Sequence, residues 1–143
     1  MNLTISIMVD KFVSFRGHVK RGRWGGMYND AEYTAYHDAI TNAFIGSEVV
    51  PEIASDTHPF KLKVRFEYPF PKSKPAKDGE YIRYKITTPD LDNIGKAVKD
   101  ALEGLVYKND GQVVDLHYQK YYTTEGIPRL EIEIERIEWR PKE

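Results

Sequence analysis

At 143 residues the chain is long enough to bury one core, and with no cysteine it has neither a structural disulfide nor a thiolate zinc site. A formal net charge of -1 excludes a surface that acts as one general field for polyanions, so affinity for nucleic acid has to come from local clusters. The apolar run from Leu3 to Val9 lacks a basic leader and is too short for a membrane span. The expectation is therefore one domain, residues 1–143, in a cytoplasmic protein that does not meet a membrane.

In chain order, LTISIMV alternates and places Leu3, Ile5, Ile7 and Val9 on one face of a strand. From Lys11 to Arg23 follows a loop with Lys11, Arg16, Lys20, Arg21 and Arg23 and no acid, interleaved with Phe12, Phe15 and His18 and followed by Trp24. NDAEYTAYHDAITNAFIG predicts a helix with Asn29 and Glu32 as a capping pair, Tyr36, Ile40, Ala43 and Phe44 as its apolar stripe, and Gly46 at its stop. FKLKVRFEYPF alternates again: Phe60, Leu62, Val64, Phe66 and Tyr68 point one way, Lys61, Lys63 and Arg65 the other. The Pro- and Lys-rich loop PKSKPAKDGE opens a second basic group of Lys72, Lys74, Lys77, Arg83 and Lys85. Near the end, QVVDLHYQKYY and RLEIEIERIEW read as strands joined by TTEGIP, which predicts an antiparallel hairpin with a bulge or frayed edge near Arg136.

Between these lies TTPDLDNIGKAVKDALEGLVYKNDGQVVDL, where Asp90 and Asp92 flank Leu91 at the start of a helix. Residues two apart point in nearly opposite directions on a helix but share a face on an extended segment. For the two carboxylates to act together, Asp90 has to lie before the helix, and Pro89 favours an extended approach. With Asp92 as the N-cap, Ile94, Ala97, Val98, Ala101, Leu102 and Leu105 form a continuous buried stripe, and Gly104 provides a left-handed turn at the end. Taken singly, PDLDN is a turn with a cap and NDG is a tight turn before a strand. A calcium loop of the EF-hand kind fails, because Ile94 stands at its fifth position and Ala101 at its twelfth. The four histidines, His18, His37, His58 and His117, have no metal-ligand spacing among themselves. What the single readings leave unexplained is the combination of Asp90, Asp92 and Asp110 with Lys96, Gln112 and basic loops on both sides.

PDLDNIGKAVKDALEGLVYKNDGQVV, residues 89 to 114, resembles the signature of the RusA family of Holliday junction resolvases: an Asp-x-Asp-Asn-x-x-Lys element opening a helix that ends in Asp-Ala-Leu-x-Gly, then Asp-Asp-x-Gln-Val. The likeness extends weakly to HYQKYY, with Lys120 at a family lysine position, and to the basic PKSKPAK loop. Asn109 replaces the first member of the Asp-Asp pair, and no Pro-Pro-Ser-x-Asn element is recognisable near the N-terminus.

The resemblance implies a crossover junction endodeoxyribonuclease that hydrolyses phosphodiesters with Mg2+, or Mn2+, held by Asp90, Asp92 and Asp110. Lys96 would be the essential lysine beside the scissile phosphate. Its partners would be four-way or other branched DNA and a second copy of the chain in a homodimer. Arg16, Lys20, Arg21, Arg23, Lys72, Lys74 and Lys77 are the expected phosphate contacts. The expected fold is α+β, a mixed sheet with two main helices in the order β-α-β-α-β-β, the aspartates lying at the sheet's edge beside the second helix. Nucleases acting on flaps or forks, and a branched-DNA binder without activity, remain as alternatives.

Overall fold

The computed structural model of the chain describes residues 2–14, 19–21, 27–29, 31–46, 58–124 and 126–138. Arg16, Arg23, Phe15, His18, Trp24 and Trp139 lie outside them, and for Lys20 and Arg21 only the backbone is described.

The chain forms β1 (Asn2–Met8), β2 (Val19–Arg21), β3 (Met27–Asn29), α1 (Ala31–Ile45), β4 (Phe60–Pro69), β5 (Ile82–Tyr84), α2 (Leu91–Leu102), a 3-10 turn (Asp110–Gln112), β6 (Val113–Thr123) and β7 (Arg129–Arg136). The architecture is α+β, and the main order is the expected one, with the small β2/β3 hairpin and the short β5 added to it. Among the described residues no helix is long and apolar enough to cross a membrane.

Five strands make a mixed sheet in the spatial order β1-β7-β4-β6-β5. The expected hairpin of the last two strands is not formed. β4 lies between them, parallel to β6 and antiparallel to β7. The charges explain why this register is favourable: Lys61, Lys63 and Arg65 of β4 stand opposite Glu135, Glu133 and Glu131 of β7, and directly opposed unlike charges stabilise a strand pair. Arg65 and Glu131 are in contact, and Lys63 lies 4.0 Å from Glu133. One step further along, the buried Glu67 accepts two bonds from Arg129, at 2.9 and 3.2 Å. Glu131 and Glu133 of the last strand are thus paired within the sheet.

The other face of the sheet carries both helices. Phe60, Leu62, Val64 and Phe66 of β4 and Leu130, Ile132 and Ile134 of β7 are buried against Tyr33, Tyr36, Ile40 and Phe44 of α1 and Ile94, Ala97, Val98, Ala101 and Leu102 of α2. Each large side chain removed from water in this way contributes about 1.5–3 kcal/mol. Tyr33 of α1 donates to Asp100 of α2 at 3.0 Å, tying the helices together. Burial first, and then this bond, push the Tyr33 phenol above its ordinary value.

Both helix starts differ from expectation. α1 begins at Ala31, so Asn29 is not its cap but the last residue of β3, paired with Val19. α2 begins at Leu91, and its N-cap is Asp90 in extended conformation (φ -70, ψ 138), which leaves Asp92 inside the first turn. The ends agree with the sequence: Gly46 donates to Asn42 at 3.1 Å, and Gly104 adopts φ 81 just past α2. β7 stops at Arg136, and Ile137 turns to donate to Pro59 at 2.9 Å.

Candidate active site

Asp90 caps α2 by position only. Its carbonyl accepts the first helical bonds from Asn93 and Ile94, both at 3.2 Å, but its carboxylate makes no capping hydrogen bond. An aspartate at this position normally accepts from the backbone N–H groups of the first turn. Asp92 and, one turn later, Lys96 are exposed at the same end of the helix, where unpaired N–H groups favour negative charge.

The approach to Asp90 is held from the sheet. Lys120 of β6 donates to the carbonyl of Thr87 and, at 2.5 Å, to that of Pro89. Lys85 donates to the Thr87 hydroxyl at 2.7 Å and to Tyr122 at 3.3 Å, with its ammonium 5.1 and 5.2 Å from the ring centres of Tyr68 and Tyr122. Burial raises the Tyr122 phenol, but hydrogen bonds to Thr87 and Lys85 and the Lys85 charge outweigh it, and the net direction is down. Two ammonium groups thus fasten the strap of residues 85–89 to the second half of β6.

The second basic loop is also built. Arg83 of β5 donates to the carbonyls of Lys74 and Pro75, at 3.0 and 3.1 Å, and to Glu80 at 3.0 Å through Nε, while its guanidinium lies 4.9 Å from the Phe70 ring centre. Its bond to Glu80, with a second from the Lys77 N–H, holds the Glu80 carboxyl down at about 2. Arg83 is therefore a structural clip, whereas Lys72, Lys74 and Lys77 stand exposed around it.

Asp110 is elsewhere. It opens the 3-10 turn at the foot of β6, and its N–H donates to the Glu103 carboxylate at 3.1 Å, which ties it to the C-terminal end of α2. Asn109 explains itself here as the cap of this turn: its side chain accepts from Gly111 at 2.8 Å, and its N–H donates to Gln112 at 3.1 Å. An aspartate would cap equally well.

The structure thus gathers Asp90, Asp92 and Lys96 at one end of α2 and leaves Asp110 at the other. Among the described residues no three histidine or carboxylate groups come together as a metal-ligating set, so the three aspartates of one chain do not by themselves fit a divalent ion. Lys85, and the anchoring contacts of Lys120, are absent from the expected set of site residues. The signal for Lys120 was present in HYQKYY, where a lysine shares the helix-facing side of a strand with Tyr118 and Tyr122.

Residues 13–135 match the family model described as Endodeoxyribonuclease RusA. The chain is also similar to the uncharacterized protein YqaN of Bacillus subtilis (strain 168), at 40% identity over 101 residues, which is 66% of this chain and 69% of that protein.

Proposed function

The chain belongs to the RusA endodeoxyribonuclease family, and from that premise we propose that it resolves four-way DNA junctions by phosphodiester hydrolysis at sites built from Asp90, Asp92, Asp110 and Lys96. The observation that carries the reading is the idle carboxylate of Asp90. A carboxylate at an N-cap that makes no capping bond stays open to a ligand, and Asp92 and Lys96 share its end of the helix.

Each group has a separate task in this reading. Lys96, about one turn past Asp92, presents a cation toward a phosphate bound at the helix N-terminus and offsets charge that grows as the ester bond breaks. The exposed backbone N–H groups of the first turn favour the same anion. Lys72, Lys74 and Lys77 hold neighbouring phosphates from a loop whose shape Arg83 fixes, so they position DNA without taking part in bond breaking. A divalent ion would supply a polarised phosphate and an activated water. Among the described residues the aspartates of one chain do not form its ligand set.

The test is cleavage of a four-way junction, a flap, a fork and linear duplex in the presence of Mg2+ or Mn2+, with wild type and Asp90→Asn. The expected outcome is paired cutting of the junction, lowered in the variant by more than about 100-fold, the scale on which single electrostatic groups at a reacting centre act. Junction binding by the variant should persist, since no phosphate donor is lost. Preferential cutting of flaps or forks would change the substrate. Binding without cutting by wild type would overturn the enzymatic reading.

A further inference from the structure

Four of the large apolar side chains exposed among the described residues fall between positions 81 and 86: Tyr81 at 74%, Ile82 at 55%, Tyr84 at 73% and Ile86 at 94%. They belong to β5 and the residues beside it, and the pattern there is inverted. In YIRYKI the two cations turn inward, Arg83 onto the Phe70 ring and Lys85 onto those of Tyr68 and Tyr122. The aromatic and aliphatic groups face outward. An edge strand shaped for solubility alone carries its charges outward. Ile82 and Tyr84 stand opposite Thr123 and Tyr121 of β6. These are positions on the sheet face away from the helices, since Tyr118, in step with Tyr122, is the side chain that packs on α2. β5 ends the sheet, so among the described residues its outer edge meets no strand.

The patch has a cationic border. Arg83 holds the preceding loop against β5 through the Lys74 and Pro75 carbonyls. Lys74, Pro75, Ala76, Lys77 and Arg83 line a cleft of about 560 Å³ with no carboxylate in its wall. Glu80 is bonded to Arg83, which leaves Asp78 as the one exposed acid of the loop. Tyr84 is six residues from Asp90, so the two lie no more than about 20 Å apart, a span of about six nucleotides along a strand. Exposed apolar groups bordered by ammonium groups fit a ligand that is both anionic and flat-faced, a nucleic acid with bases out of the stack. An apolar protein patch would leave the ammonium groups without counter-charges.

We propose that Tyr84, flanked by Ile82 and Ile86, is a stacking platform for bases left unpaired at a DNA branch point, and that it supplies the preference for branched over linear DNA. The division of labour follows from the chemistry of each group. Lysines meet phosphates, which every duplex carries in the same number per turn. A base inside a linear duplex is already stacked on both sides and gains nothing from an outside ring. A base freed at a crossover has a bare face, and an exposed phenol ring covers it whatever its identity. Ile82 and Ile86, one step to either side of Tyr84 along the outward face, exclude water from the stacked pair. The proposal rests on the branched-DNA reading above and adds to it the group that recognises the branch.

Binding without cutting tests it. In EDTA, at one fixed salt concentration, wild type, Tyr84→Ala and Tyr84→Phe are titrated with a four-way junction and with a linear duplex of equal length. Tyr84 is exposed, so neither substitution disturbs the core. Loss of one stacked base lowers affinity about 5- to 150-fold. Tyr84→Ala should lose that much on the junction and keep wild-type affinity for the duplex, whereas Tyr84→Phe, which keeps the ring, should bind both as wild type does. The salt slope of Tyr84→Ala should equal that of wild type, because no ammonium group is lost. A junction carrying iododeoxyuridine at the crossover should photocrosslink to the peptide that contains Tyr84. Equal loss on junction and duplex, an unchanged junction affinity, or crosslinks confined to other peptides overturns the platform. So does a fall in the sedimentation mass of Tyr84→Ala, which assigns the patch to contact between copies of the chain. If the affinities divide as expected but wild type cuts no junction with Mg2+, the platform stands and the nuclease reading falls. If wild type cuts junctions and Tyr84→Ala binds them as tightly, the nuclease reading stands and the platform falls.

Discussion

Tyr118 occupies the space that a side chain on Gly95 would need. A Cβ built at Gly95 falls 2.2 Å from Cε2 of the Tyr118 ring and 2.4 Å from Cζ. The contact brings the middle of β6 against the first half of α2, and burial there, with the nearby Asp110 charge adding to it, raises the Tyr118 phenol to about 12.

Gly95→Ala therefore has two opposed effects. Alanine gains about 1 kcal/mol of helix propensity over glycine, while displacing a packed ring costs about 1–3 kcal/mol. The expected net is a loss of up to ~2 kcal/mol in urea unfolding. In a Tyr118→Ala background the obstruction is gone, and the same substitution should stabilise by about 1 kcal/mol. A Gly95→Ala effect of the same sign and size in both backgrounds would show that the ring moves aside freely.

That contact also marks the limit of what could be read from the chain. The stripe of Ile94, Ala97, Val98, Ala101 and Leu102 was legible because a 3.6-residue period is local, and the strand faces were legible because alternation is local too. Sheet order is not local. β6 and β7 are neighbours in sequence, and only the opposed charges of Lys61, Lys63 and Arg65 against Glu135, Glu133 and Glu131 hint that β4 separates them. The start of α2 was misplaced by two residues because Asp90 and Asp92 are equally good caps by residue type, and the choice is made by Lys120 holding Pro89 from another strand. The three aspartates were legible as residues. Their distribution over the two ends of a helix follows from its length.

The Glu80–Arg83 clip has a defined pH window. The Arg83 bond, then the Lys77 N–H, lower the Glu80 carboxyl from its ordinary 4.5 to about 2. A group depressed on folding contributes stability that is fully present above its unfolded value and is lost as pH falls through the folded value. The loop carrying Lys72, Lys74 and Lys77 should thus keep its shape from neutrality down through pH 4.5 and open only near pH 2. Carboxyl carbon shifts of Glu80 followed by NMR should titrate near 2 in wild type and return toward 4.5 in Arg83→Gln. A wild-type midpoint near 4.5 would mean that the clip is not closed in solution.

Lys120 separates the placing of Asp90 from the binding of DNA. Its ammonium is directed to the Thr87 and Pro89 carbonyls, so its removal frees the segment leading into α2 without deleting an aspartate or a phosphate donor. Lys120→Ala should lower kcat on junction DNA by about 10- to 100-fold, the cost typical of losing a group that orients a ligating residue. KM and the salt dependence of binding should stay near wild type, because a lysine bonded to backbone releases no counterion from DNA. Lys120→Arg, which keeps a cation able to reach both carbonyls, should restore part of kcat. The alternative role makes a different demand: a lysine docking on phosphate would raise KM on removal and reduce the slope of log affinity against log salt by about 0.9. That pair of changes, with kcat intact, would place Lys120 on the DNA and leave the strap to be held by Lys85 alone.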